Sequence, residues 1–359
     1  MVGGTRLTRI RPRALRIALL VGLAMAIGAE GAASAPTVRV WSVPPWDNYI
    51  RELAAGPDRA MWFVHEGKGD ITRISRISTS GKIRHFSLPA NTSAGELTAG
   101  PGDALWFTAS VDDYSKGAIG RITTDGKVDF FPLPDPDFVP RDLARGPDGT
   151  VWFFETGESS DGKRVERRIG RIDTTGSITE HSLGKVSARY LATDSIARGA
   201  DGAMWFTDSA VGRVGRITKG GSVKHFKLSG FWSPRCVDSS GGHFTCSPAS
   251  IIAGPRNKMW FMGLYGDRIV EISSGGKLRF HRVPMVGRQP TILRAIGAGP
   301  GGAVWFVTGV AAGRIAPSGA IAQYPIVGRN GVEPALTRIV AGPDATMWFI
   351  ARNKVGRIK

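Results

Sequence analysis

The chain has 359 residues, 42% of them hydrophobic, enough to bury a sizeable core and compatible with one large all-β domain or two smaller ones. Its 47 Lys and Arg against 30 Asp and Glu give a formal net charge of +17, which favours anionic partners. An exported protein, as this chain's first residues imply, meets anionic lipids, wall polymers or acidic small molecules before nucleic acid, so nucleic acid is excluded as the expected partner.

Residues 1–35 read as a secretory signal peptide. Arg6, Arg9, Arg11, Arg13 and Arg16 precede an apolar run from Ile17 to Ile27, and small residues, Gly31 to Ala35, follow. The run is too short to span a bilayer, so no transmembrane segment is expected after cleavage, and the mature protein is expected to be periplasmic or secreted. Cleavage would remove five arginines and one glutamate and leave a net charge of +13.

From residue 36 to residue 359 one string recurs seven times. It reads GPDRAMWF from Gly56, GPGDALWF from Gly100, GPDGTVWF from Gly146, GADGAMWF from Gly199, GPRNKMWF from Gly254, GPGGAVWF from Gly299 and GPDATMWF from Gly342. Each is followed by a second run such as IGRITTDGKVDFFPLP from Ile119. Each unit reads as four short strands: the segment before Gly, a type I turn, the Trp-Phe strand, the Ile-Gly-Arg-Ile strand, and an alternating outer strand reached through Asp-Gly or Gly-Gly. A spacing of 43 to 55 residues between tryptophans, with four strands each, predicts an all-β, seven-bladed β-propeller. The seventh unit stops after its third strand, and Val38 to Pro44 has the alternation of the missing one, so this segment is expected to close the ring.

Loop lengths vary between the second and third strands and between blades, on the face opposite the Gly-Pro-Asp-Gly turns, where binding usually sits. The longest stretches run from Thr156 to Arg168 and from Gly230 to Ser247. The latter holds both cysteines, Cys236 and Cys246, a natural disulfide in an oxidising compartment.

Residues near the variable-loop end of the inner strands are expected to line a central funnel. The fifth position before each turn Gly holds Arg51, Arg141, Asp194 and Arg294 among its polar members, and the third after each Trp holds His65, Glu155 and Asp208. Arg51, Arg141 and Arg294 pointing at one axis would bind a carboxylate or phosphate. Glu155 is either a ligand or the partner of Arg141. Asp194 and Asp208 would make a divalent-cation site, a pair with one raised pKa, or two solvated carboxylates. His65 is a candidate neutral base, and the recurring third-strand arginines, spread evenly round the ring, are not expected to form a one-sided patch.

The blade pattern Gly-Pro-Asp-Gly-x-x-Trp-Phe with Ile-Gly-Arg-Ile-x-Thr-x-Gly, over residues 38–359, resembles the virginiamycin B lyase (streptogramin lyase) family. The resemblance implies elimination of the ester C–O bond of a cyclic depsipeptide, with a His base and a Mg²⁺ held by carboxylates at the funnel mouth. The positions matching the base and metal ligands hold Ala335, Thr337, Arg294, Ala351 and Arg352, and Arg51 stands where the family has Tyr. The expectation is therefore a monomeric propeller that binds an anionic ligand or partner, with two alternatives: a Mg-assisted lyase using relocated residues, and a structural envelope protein.

Overall fold

The computed structural model describes residues 36–44, 49–66, 72–159, 162–187, 194–230, 247–264, 266–285, 291–326 and 335–359. The expected signal peptide and both cysteines lie outside them. Among the described residues twenty-eight strands, β1 to β28 in chain order, form seven separate four-stranded antiparallel sheets. Blade one is β2 (Ile50–Ala55), β3 (Met61–Glu66), β4 (Thr72–Ile77) and β5 (Ile83–Ser87). Blade two runs from β6 (Ser93–Ala99) to β9 (Val128–Pro132), blade three from β10 (Phe138–Arg145) to β13 (Ile178–Ser187), and blade four from β14 (Ile196–Arg198) to β17 (Val223–Lys227). Blade five runs from β18 (Pro248–Gly254) to β21 (Leu278–Arg282), and blade six from β22 (Leu293–Ala298) to β25 (Ile321–Pro325). Blade seven takes β26 (Leu336–Ala341), β27 (Met347–Ala351), β28 (Lys354–Ile358) and, as its outermost strand, β1 (Val38–Ser42). No helix of the described residues is long and apolar enough to cross a membrane.

The repeat dictates this because each blade must bury both faces against its neighbours. Seven hydrophobic clusters result, each shared by two adjacent blades; that between blades one and two holds Trp62, Val64, Ile74 and Phe86 with Leu97, Leu105, Phe107 and Ile122. The constant glycines are steric: a Cβ on Gly170 would lie 2.1 Å from the Phe153 ring, and one on Gly146 2.5 Å from the Trp152 indole. The turn aspartates act as clamps. Asp201 accepts from Trp205 Nε1 at 3.1 Å and from Arg216 Nε at 2.7 Å, and Asp58 and Asp344 do the same for Trp62 with Arg76 and Trp348 with Arg357. In blade five the charges are reversed, with Arg256 in the turn and Glu271 on the third strand bound to Lys258 at 2.8 Å.

The ring closes as the sequence predicts. Val38 to Ser42 pair in register with Ile358 to Lys354, and Trp41 stacks on Trp348 with centroids 5.1 Å apart. Trp41→Ala is expected to lower the unfolding free energy by about 2 kcal/mol, less than a fully buried tryptophan costs because Trp41 is only half-buried. Urea unfolding of the variant against the parent measures it, and an unchanged midpoint would show that the seam does not limit stability.

Two features depart from the sequence expectation. The Thr156 to Arg168 stretch is largely an extended hairpin, because β11 (Val151–Glu158) and β12 (Arg164–Ile172) pair as far as Glu158 opposite Val165. Six of the seven inner strands also carry a register shift near their loop-face end, between Ile50 and Glu52, Ala94 and Leu97, Pro140 and Asp142, Ala249 and Ile252, Leu293 and Ala295, and Leu336 and Arg338. A bulge inserts a residue and re-aims those beside it.

Candidate ligand site in the central cavity

The inner strands of all seven blades surround a cavity of about 710 Å³. The fourth position before the turn Gly lines it in every blade, as Glu52, Glu96, Asp142, Ser195, Ser250, Ala295 and Arg338, and in six of the seven a bulge lies beside that position. The fifth position contributes Arg141, Asp194, Ala249 and Arg294, but not Arg51.

The charged members form one network. Arg338 Nη2 donates to Glu96 Oε1 and Oε2 at 2.8 and 2.9 Å and lies 2.7 Å from Glu52 Oε2, joining blade seven to blades one and two. Attraction to Glu52 and then to Glu96 raises the Arg338 pKa, against its own burial. Burial pushes the Glu96 carboxyl well above its ordinary value despite Arg338, and the nearby Glu52 pushes it further. Asp142 is raised to about 6 by burial and by Glu96, although the Leu143 and Ile196 amides donate to it at 2.8 and 2.9 Å. The sequence reading did not single out this network. A signal existed, since charge is concentrated in the fourth column before Gly, but it could be recognised only once the bulge was known.

Of the predicted site residues, Arg141 and Arg294 are exposed and line the cavity, in blades three and six and so nearly opposite across the ring. Arg141 Nε donates to Thr156 Oγ1 at 3.1 Å, and no carboxylate of the described residues pairs with it. Arg51 lies off the cavity, in an ion pair with Glu66. Asp194 lines the cavity and accepts from the Ser209 amide and hydroxyl, each at 2.7 Å; burial raises it to about 6.

The residues three after each Trp are buried inside their blades instead of facing the funnel: His65 and Glu155 are 0% exposed and Asp208 is 1% exposed. Their side chains point along the sheet, on the face where the third strand carries Gly or Ser, and reach toward the outer strand. Glu155 does not meet Arg141. It faces Glu180, and burial with that second carboxyl raises it to about 8, while Arg168 pulls the other way and Asp135 adds to the rise. His65 Nδ1 donates to the Glu66 carbonyl at 3.1 Å, so its Nε2 accepts from Ser75 Oγ at 2.7 Å, which in turn accepts from His85 Nδ1 at 2.7 Å. Burial, then the charges of His85 and Arg73, lower His65 to about 4, leaving it neutral. Asp208 is paired with Arg167 and lies 3.4 Å from His225 Nε2.

These contacts do not suit a magnesium ion. Asp194 gives one oxygen to Ser209, Asp208 is paired with Arg167 through one oxygen and has His225 Nε2 3.4 Å from the other, and among the described residues no three His, Cys, Asp or Glu side chains are gathered so that they could hold a metal.

A model described as the virginiamycin B lyase family matches residues 33–234 and 237–359. A virginiamycin B lyase from Nocardia farcinica is 25% identical over 232 residues, which covers 63% of this chain and 67% of that protein. The crystal structure of selenomethionine-substituted virginiamycin B lyase from Staphylococcus aureus is 26% identical, with a TM-score of 0.70 over 90% of this chain and 99% of that one. A catalytically inactive virginiamycin B lyase from the same organism, crystallised with quinupristin, is 26% identical with a TM-score of 0.69 and the same coverage.

Proposed function

Because the chain belongs to the virginiamycin B lyase family, we propose that it uses that family's propeller to bind a small anionic ligand at its central cavity, not to carry out a metal-assisted elimination. The observation that carries this reading is the pair Arg141 and Arg294, exposed on opposite sides of the cavity they line. Guanidinium groups there can grip a carboxylate or phosphate in fork geometry. Deeper in the cavity Arg338 pairs with Glu52 and Glu96, and burial raises the Glu96, Asp142 and Asp194 carboxyls above their ordinary values, which lessens the negative charge beneath the two guanidinium groups. The reading includes export through residues 1–35, a periplasmic or secreted location and a monomeric state.

A binding panel of inorganic phosphate and small di- and tricarboxylates tests it by calorimetry. Arg141→Ala or Arg294→Ala is expected to weaken the best binder about tenfold each, the size of one charge-assisted contact. Unchanged affinity in both variants overturns the assignment. The second reading, a lyase with relocated residues, is favoured by the names of the relatives and by the quinupristin complex of one of them. It requires ring opening of a streptogramin B by this protein and a thermal shift with Mg²⁺. Both should be absent if the binding reading is right.

A further inference from the structure

The two faces of the ring differ in shape. Every turn Gly lies six residues before its Trp, so the face formed by these turns and by the outer hairpins is level, whereas the loops of the opposite face vary in length. On the level face the turn aspartates are used up internally, holding Arg76, Arg171, Arg216 and Arg357. These arginines therefore add little to the surface charge.

Other cations do. Arg59, Lys82, Lys127, Arg145, Arg198 and Lys277 are all exposed, and none takes part in an ion pair among the described residues. Lys82, Lys127 and Lys277 sit at the outer hairpins of blades one, two and five, and Arg145 and Arg198 end the inner strands of blades three and four, so both rim and centre are basic. Against them, among the described residues, the acidic side chains on this face outside the internal pairs are Asp103, Asp125 and Asp173. The exposed large hydrophobic residues are elsewhere: Tyr49, Tyr114, Val139, Val211 and Met285 lie at the loop face and Phe280 on an outer strand.

We infer that the turn face is a docking surface for an anionic lipid bilayer. A level disc with cations at rim and centre, and no aromatic residues to insert or stack, matches a planar array of negative headgroups; a single-stranded polyanion would call for a groove with stacking side chains. Docking in this way leaves the cavity mouth and the variable loops facing solution. It does not depend on what the cavity binds.

Co-sedimentation of the full chain with phosphatidylcholine vesicles, with and without phosphatidylglycerol, tests the proposal. Binding is expected only to the anionic vesicles and is expected to be lost when salt is raised, since the contacts are electrostatic. A variant with Lys82→Glu, Lys127→Glu, Lys277→Glu, Arg145→Glu and Arg198→Glu should lose at least tenfold in binding. A control with Arg213→Glu and Lys354→Glu on the loop face should keep it. All variants share residues 1–35, so only differences between them count. Equal binding by the turn-face variant and the control overturns the proposal, as does retention of a soluble polyanion such as polyphosphate without vesicle binding. Circular dichroism confirms that each variant is folded.

Discussion

Replacing Arg338 with Met is expected to lower the unfolding free energy by about 3 kcal/mol, because it leaves Glu52 and Glu96 facing each other without their shared cation. Glu52 is buried and less than a third of the Glu96 and Arg338 side chains is exposed, so water cannot replace the guanidinium fully. The contact also crosses the seam between blades seven and one, where the ring must close. The loss should grow as pH rises, since Glu96, whose carboxyl burial and Glu52 hold well above its ordinary value, would then lose its proton with no cation beside it. Combining Arg338→Met with Glu52→Gln and Glu96→Gln is expected to recover most of the stability, because breaking a buried pair costs more than removing it whole. Urea unfolding at acid and at neutral pH distinguishes these outcomes. A single variant as stable as the parent at both pH values would mean that the network carries no net stabilisation.

Blade three is expected to give stability a pH dependence that Glu155→Gln removes. Glu155 is fully buried, neither of its oxygens receives a donor from a group other than Glu180, and burial with that carboxyl holds its pKa at about 8. Unfolded, a glutamate titrates near pH ~4.3. The folded pKa is therefore raised, so its stabilising contribution is complete below the unfolded value and is lost as pH rises toward and through about 8. One proton gives a slope of up to about 1.4 kcal/mol per pH unit across that window. The amide of the variant would keep a donor toward Glu180 at every pH and flatten the slope. Unfolding followed from pH ~5 to ~8 in parent and variant measures it, and an identical slope in both would place the titrating group elsewhere. Arg168, Asp135 and Glu166 surround the pair, and Arg168, in ion pairs with Glu166, Glu180 and Asp135, offsets part of the remaining negative charge.

Much of the fold could be read from the chain, and for a definite reason. A propeller blade is a local unit whose steric requirements repeat, so the Gly that must clear Trp, the Gly that must clear Phe and the Trp itself recur at constant spacing. The missing outer strand of blade seven was legible on the same ground, as β1 has the outer-strand alternation and no partner of its own in sequence. The use of Asp58, Asp148, Asp201 and Asp344 by third-strand arginines was not drawn from the repeat, although the aspartates recur with the turns.

The site was legible only in part. Arg141 and Arg294 reach the cavity as expected, but Arg51 turns to Glu66, and His65, Glu155 and Asp208 lie inside their blades. One cause is the inner-strand bulge, which shifts the axial column by a residue and puts Glu52, Glu96, Asp142 and Arg338 where the reading placed their neighbours. Strand alternation counts residues, and a bulge is an extra residue that hydrogen-bond registry reveals and periodicity does not. The other cause is the Gly or Ser on the third strand, which opens a path along the sheet and lets the side chain three after Trp bury itself against the outer strand. The sequence by itself determined the seven blades, their closure and the charge the protein carries. Only the tertiary structure decided which charges meet, because pairs such as Arg338 with Glu96 join residues from opposite ends of the chain and depend on where a bulge aims them.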